Sequence, residues 1–453
     1  MSVFGSSVAL RYCRGSVLLQ SLWNVNDVSA CVSGSYVVRA LQTRLTNVLL
    51  GLGVTAGMGS ILAVYGASEV PALAIFLFAV AAPRMATLLL PLAFVISWRS
   101  TLGGTADEAV FVRTSDALTS GALLRVVAGN QPRLRDLGAY GPVLVSALVV
   151  LTLLLVAALA GVVQGTLTVP QASLLYALQW SALASAGLLA WVYGPELGHA
   201  GRLAWCGAVV LAAGFGTAEW LSPLDAAARY RAFEQLWFDG QANHYGGLFA
   251  FAACVGAGMI GHRRRRGLGV VLCSTSLAGL YATQSRSGMV AVGAGFAALA
   301  VLRYPRLVWC APLVPLIVFV LPWDSLREAA AEGSSLHDRL IAWKSAMSTV
   351  ADYPLLGIGT GARHRSFYDN HYVMALAEGG AGGLAAWLWW QWTNLRALMR
   401  LPGPAGLGIA AGWIACAVHA LANITFLVTV CAGPVIWLTG FWLAAAASES
   451  EDI

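Results

Sequence analysis

A polar cluster occupies positions 363–371: Arg363, His364, Arg365, Ser366, Tyr368, Asp369, Asn370 and His371. It follows directly on a glycine-rich stretch, Tyr353-Pro354-Leu355-Leu356-Gly357-Ile358-Gly359-Thr360-Gly361. Glycine accepts a positive φ and lets backbone approach a neighbour closely, a ligand included. Arginine offers a planar, permanently charged fork that matches phosphate oxygens. An aspartate or histidine within reach of a hydroxyl accepts its proton. Together these residues suit an anion site beside a general base, as in a group transfer whose anionic leaving group is held by arginine. Plainer roles compete with this one. Arginines anchor lipid headgroups, loop histidines are solvated, and Asp369 or Asn370 ahead of an apolar run caps a helix.

The elements that position these residues follow from composition. The 453-residue chain is 58% hydrophobic and only 11% charged. A soluble domain carries roughly 25% charged residues, so lipid must cover most of this surface. Backbone groups in hydrocarbon must be satisfied within the segment, by helices or a closed barrel. The apolar runs are about 18–25 residues long, which fits helices and not barrel strands. An all-α, polytopic bundle of about 12 transmembrane spans is expected, at 46–66, 70–98, 140–163, 172–194, 203–220, 244–261, 267–283, 287–303, 307–322, 372–393, 406–425 and 428–447. Pro83 and Arg84 make the second of these a kinked helix or a re-entrant pair.

Arginine placement orients the bundle. Arg263-Arg264-Arg265-Arg266, Arg303, Arg306, Arg396, Arg400 and the arginines of segment 99–139 are expected in the cytoplasm. The domain reading is then a cytoplasmic tail 1–45, membrane helices over 46–322, an extracytoplasmic loop 323–371 carrying short helices, membrane helices over 372–447, and a tail 448–453. The segments 221–243 and 284–286 also face outward, and all three outward segments carry arginine: Arg229, Arg231, Arg286, Arg327, Arg339, Arg363 and Arg365. Within the large loop, residues 338–350 read as an interfacial amphipathic helix, with Leu340, Trp343, Met347 and Val350 on one side.

Phosphate at a membrane surface outside the cytoplasm comes mainly as lipid headgroups and polyprenyl diphosphates, so the anion is expected to be a lipid diphosphate. His419 and Asn423 in the eleventh span either join helices or line an acceptor cavity. Gly379, Gly380, Gly382 and Gly383 read as small residues for close helix packing. The eight cysteines are scattered singly, with no metal-ligand spacing. Neither metal nor cofactor is expected.

Several short motifs carry a resemblance. Pro354-Leu355-Leu356-Gly357-Ile358-Gly359, Asp369-Asn370-His371-Tyr372-Val373 and Glu378-Gly379-Gly380 with Gly383 stand in the order of a P-L-x-G-x-G, H-N-x-Y-L, E-x-G-x-x-G signature. Arg339 with Trp343, Thr283-Gln284-Ser285-Arg286-Ser287-Gly288, and the run from Arg231 to Asn243 and His244 fit further elements. The set, over roughly residues 225–425, resembles the O-antigen ligase / polysaccharide polymerase family. The resemblance implies a metal-independent glycosyltransferase of the cytoplasmic membrane, working on its outer face. It implies a polyprenyl-diphosphate-linked glycan donor, a glycan acceptor, and other polysaccharide-assembly membrane proteins as partners; nucleic acid is not among them. Arg286 with Arg229 or Arg231 would hold the donor diphosphate, and Arg339, Asn370 and Tyr372 would complete substrate binding. Asp369 stands where the resembled ligases have their histidine base. Asp369, His364 or His371 would serve instead, and the change favours a polymerase over a ligase to lipid A–core. Two other classes remain open: a transporter or flippase of a lipid-linked or anionic solute, and a scaffold with an inactive site.

Overall fold

The computed structural model describes residues 70–96, 99–101, 111–129, 137–166, 170–221, 242–304, 306–307, 335–360, 370–401, 403–426 and 429–451. The expected first span at 46–66, Arg229, Arg231, and the cluster 361–369 with His364 and Asp369 lie outside these residues.

What is described is helical apart from one pair of three-residue strands. The elements are α1 (Val70–Ala81), α2 (Pro83–Val95), β1 (Arg99–Thr101), β2 (Phe111–Arg113), α3 (Thr114–Ala128), α4 (Gly141–Gln164), α5 (Pro170–Leu221), α6 (Ala242–Ile260), α7 (Arg266–Thr283), α8 (Arg286–Arg303), α9 (Ser335–Asp352), α10 (His371–Met399), α11 (Gly403–His419) and α12 (Thr429–Glu451). Four helical segments among them are long and apolar enough to cross a membrane: Gly138–Gln164, Tyr176–Leu221, Arg286–Arg303 and Val430–Ala447.

The second of these is a hairpin. A 46-residue straight helix would be roughly 70 Å long at 1.5 Å per residue, more than twice the ~30 Å hydrocarbon core. Gly198 breaks α5 with φ 46 and ψ −118, three residues after Pro195. The first arm runs from Trp180, beside Trp387, to Gly194, whose nearest neighbour is Ala444. The second arm returns from Arg202, over Trp442, to Trp220, against Tyr281. The two expected spans 172–194 and 203–220 correspond to these arms.

The bundle has two ends. At one, the tetra-arginine turn 263–266 sits near Arg303 and Pro404, as the surroundings of Gly261 show. Arg265 and Arg202 cover the same Trp442 ring, at 5.0 Å and 5.9 Å. At the far end lie the starts of α6, α8 and α10 and the ends of α7 and α11. The α7–α8 turn is only Gln284 and Ser285, and the His371 N–H donates to the Ala420 carbonyl at 2.9 Å.

The stretch 70–139 meets expectation in its break at Pro83 and departs from it farther on. The chain breaks at Ala82 (φ −130, ψ 63), just before Pro83, into α1 and α2. α2 climbs from Arg84, paired with Glu196 at 2.6 Å, to Val95, whose carbonyl accepts from the Tyr245 hydroxyl at 2.9 Å. The strands then pair Arg99 with Arg113. α3 comes back, bringing Arg125 within electrostatic reach of Tyr193 beside Arg84. So the described part of segment 99–139 is not a single loop: α3 packs within the bundle. The reason it reads as a loop is visible in α3. Its 15 residues include Asp116 and Arg125, yet Ser115, Thr119 and Gly121 are buried with Leu118, Leu123 and Val126, and Gly121 lies close against α1. The Arg113 N–H donates to Asp116 at 3.0 Å and satisfies one orphan donor of the first turn.

Candidate functional site at the far end of the bundle

The loop after α11 is the hub. His419 is fully buried at the C-terminus of α11, and Thr425 and Asn423 are buried beside it. His419 Nδ1 lies 2.7 Å from Thr425 Oγ1, and Asn423 Nδ2 lies 3.3 Å from His419 Nε2. The same Asn423 amide donates to Ser287 Oγ at 2.8 Å. The Asn243 carbonyl hydrogen-bonds to the His419 ring, and His244 and Arg339 are within its electrostatic reach. The Tyr372 hydroxyl donates to the Ala417 carbonyl at 2.9 Å. This one loop therefore gathers the 283–288 turn, the Asn243–His244 pair, Arg339 and the start of α10.

Glycine allows the convergence. A Cβ on Gly247 would lie 2.9 Å from His419 Nδ1, and one on Gly246 2.6 Å from Ser285 Cβ. Ser285 is the N-cap of α8, its hydroxyl accepting from the Gly288 N–H at 3.2 Å. Arg286, the next residue, is exposed at the helix start. The orphan N–H groups and dipole of a helix N-terminus favour an anion there, in the same direction as the guanidinium.

α10 starts with a cap of its own. The Asn370 side chain accepts from the Tyr372 and Val373 N–H groups at 3.0 Å and 3.1 Å. Asn370→Ala removes the one oxygen that accepts both bonds. It is expected to cost about 1 kcal/mol, read as a lowered unfolding midpoint in detergent. His371 turns inward: it is 3% exposed and stacks on Trp387, with centroids 4.0 Å apart and planes 15° apart. Trp387, Trp390, Trp413 and Phe426 continue this aromatic column into the bundle.

The glycine turn docks on α10. Gly380 breaks that helix at φ 63. In an unbroken helix the N–H groups of Ala381 and Gly382 would bond the carbonyls of Ala377 and Glu378. Here they donate to Pro354 and Leu355, at 2.8 Å and 3.3 Å. The carbonyls of Ala377 and Glu378 accept instead from Ile358 and Gly359, both at 3.1 Å. Two helical bonds are exchanged for four to the turn. The turn's other side rests on α4, where Thr166 Oγ1 donates to the Ile358 carbonyl at 2.8 Å and Gly161 leaves room for it. The close approach that the sequence offers to a ligand is thus made, among the described residues, to two helices. Gly357 and Gly359 have φ of 65 and 95.

α9 lies over this unit. Ala346 is buried with Met374, Ala377 and Ile424, and Ala342 and Val350 pack alongside. Leu340 and Met347 of the expected apolar side are exposed, together with Ile341, and are not what packs on the bundle. The helix has two apolar sides, and the one with small residues packs on α10 because it permits closer contact. Glu378, buried at the turn, is within electrostatic reach of the Tyr176 hydroxyl.

Residues 269–388 match the family model described as O-antigen ligase. This segment is 120 of the 453 residues. It runs from α7 to the middle of α10, and so contains the 283–288 turn, Arg339, the glycine turn, Asp369–Tyr372 and Glu378. No curated protein matches the chain. The match and the apolar helices support an integral membrane protein whose residues 269–388 are similar to the O-antigen ligase family. Two residues of the gathering loop, His419 and Asn423, lie outside the matched segment. Their signal in the sequence is a histidine and an asparagine near the end of an otherwise apolar span, a pattern shared with ordinary helix-joining residues.

Proposed function

We propose that the protein is a polysaccharide polymerase that transfers a glycan from a polyprenyl-diphosphate donor to an acceptor sugar hydroxyl. The far end of the bundle faces outward from the cytoplasmic membrane, opposite the tetra-arginine turn. The observation that carries the reading is the gathering of Arg286, Arg339 and the start of α10 around one buried polar loop. Arg286 and Arg339 bind the donor diphosphate, with Arg229 or Arg231 completing the set. Asp369, immediately before the α10 cap, is the base. His364 lies near it in sequence, and His371 holds α10 in place through its stack on Trp387.

The acceptor oxygen bonds to the anomeric carbon as the bond from that carbon to the diphosphate oxygen breaks. The hydroxyl proton passes to Asp369, and polyprenyl diphosphate departs with the bonding pair under arginine stabilisation. No step needs a metal. The aspartate where the resembled ligases have histidine supports polymerase over ligase.

Asp369→Asn keeps size and removes the basic oxygen. The expected loss of transfer is about 100-fold or more, read by sizing surface glycan in cells expressing the full chain. Single repeat units on lipid A indicate a lost polymerase. Long lipid-linked glycans that are never transferred indicate a lost ligase and overturn the polymerase assignment. Full-length surface glycan overturns the role of Asp369. Movement of labelled lipid-linked donor across vesicles without any chain lengthening identifies a transporter.

A further inference from the structure

The proposed donor site depends on where the 285–287 turn holds Arg286, and the turn's own bonds within the matched segment, Ser285 N–H to Thr283 Oγ1 and Gly288 N–H to Ser285 Oγ, are joined by a contact from the side of the bundle. The contact comes from elsewhere. Asn423 reaches across to Ser287 Oγ at 2.8 Å, and is itself steadied by His419 at 3.3 Å. His419 is anchored by Thr425 at 2.7 Å and has no room to shift toward α6, because it lies against Gly247. Ser287 also lies 3.2 Å from the Ser285 hydroxyl, which caps α8. The chain His419–Asn423–Ser287–Ser285 is buried or half-buried throughout, whereas Arg286 between the two serines is exposed. A buried, connected polar chain ending on both neighbours of an exposed arginine is a device for aiming that arginine.

We propose that Asn423, oriented by His419, is a positioning residue that sets the direction of Arg286 toward the donor diphosphate. The inference rests on the reading of Arg286 as a diphosphate-binding residue, and goes beyond it by assigning function to two residues outside the matched segment. Neither touches the donor. Their effect runs through the turn.

The test uses the full chain in nanodiscs, with undecaprenyl diphosphate as the probe and its Kd as the readout. Asn423→Leu removes the donor to Ser287 and is expected to weaken binding about tenfold, the scale of one lost buried hydrogen bond. Asn423→Asp retains an oxygen that accepts from the Ser287 hydroxyl, and recovers most of the affinity. Ser287→Ala cuts the same link from the other side with little volume change. It reproduces the loss even if the leucine variant fails to fold. In an Arg286→Ala background, neither Asn423→Leu nor Ser287→Ala weakens binding further, because residues acting through one group are non-additive. A purely structural role would lower the unfolding midpoint and leave the Kd of the folded fraction unchanged. That result overturns the inference, as does full additivity with Arg286→Ala. Either leaves the donor-binding reading standing. An Arg286→Ala protein that binds undecaprenyl diphosphate as tightly as the parent removes that reading and this inference with it.

Discussion

Arg286→Ala is expected to lower the rate of glycan transfer by about 100- to 1,000-fold, the range found when a single preorganised donor to a developing oxyanion is removed. The protein should remain folded. Arg286 is exposed at the start of α8, and exposed substitutions away from special backbone usually change stability by about 0.5 kcal/mol or less. The α8 cap is a serine hydroxyl on a backbone N–H and does not involve the guanidinium. Arg286→Lys keeps the charge but not the planar fork, and should fall between parent and alanine variant. Arg303 supplies the control. It is equally an exposed arginine of α8, but it sits at the opposite end beside Gly261. Arg303→Ala should leave transfer unchanged. The measurement is transfer in proteoliposomes from a polyprenyl-diphosphate-linked donor, with glycan length as a second readout in cells. Equal loss from Arg286→Ala and Arg303→Ala would mean that positive charge, and not position, matters. No loss from Arg286→Ala would remove the residue from the site.

The sequence made the membrane class legible because composition alone settles it: too few charges exist to face water. It also made the folding back of 170–221 legible, since Pro195 and Gly198 interrupt a run too long for one crossing. It failed over 99–139, where arginines and short polar stretches look like a cytoplasmic loop. α3 is buried there, but Ser115, Thr119 and Gly121 share its buried side with Leu118, Leu123 and Val126 and dilute the hydropathy signature. The site was legible in its parts and not in its assembly. Arg286, Arg339 and Asn370 could each be singled out by type and neighbourhood. That the elements carrying them converge on the loop after α11 depends on contacts between residues far apart in sequence, such as Asn423 with Ser287. His371 illustrates the limit of residue type. A histidine next to an aspartate and an asparagine suggests proton transfer, yet its ring lies flat against Trp387 inside the bundle. Periodicity showed one apolar side of α9 and not the other. Leu340 and Met347 mark an apolar face, but Ala342 and Ala346 allow the closer approach to α10.

The four glycines of α10 separate by the same logic, and they give the second large effect. Small residues in a membrane helix all suggest close packing, but their surroundings differ. A Cβ on Gly379 would meet open space, whereas one on Gly380 would overlap the Leu355 backbone. Gly380 also has φ 63, where an L-residue costs about 1–2 kcal/mol before any clash. The clash falls on the turn that exchanges four backbone hydrogen bonds with the helix break, each worth about 0.5–1.5 kcal/mol net. Gly380→Ala is therefore expected to undock the glycine turn, at a total cost of about 3 kcal/mol or more from these terms. Transfer should be lost with it, since the turn leads directly into the cluster that contains Asp369. Gly379→Ala, one residue away and on the same helix, should fold and work normally. Two measurements separate undocking from global unfolding. Hydrogen exchange at the Ile358 and Gly359 amides should rise sharply in Gly380→Ala, because their acceptors are Ala377 and Glu378. Exchange at Phe249 and Phe251, buried in α6 away from the turn, should stay slow. If Gly380→Ala and Gly379→Ala behave alike in both exchange and transfer, the interlock between turn and helix is not what fixes this side of the site.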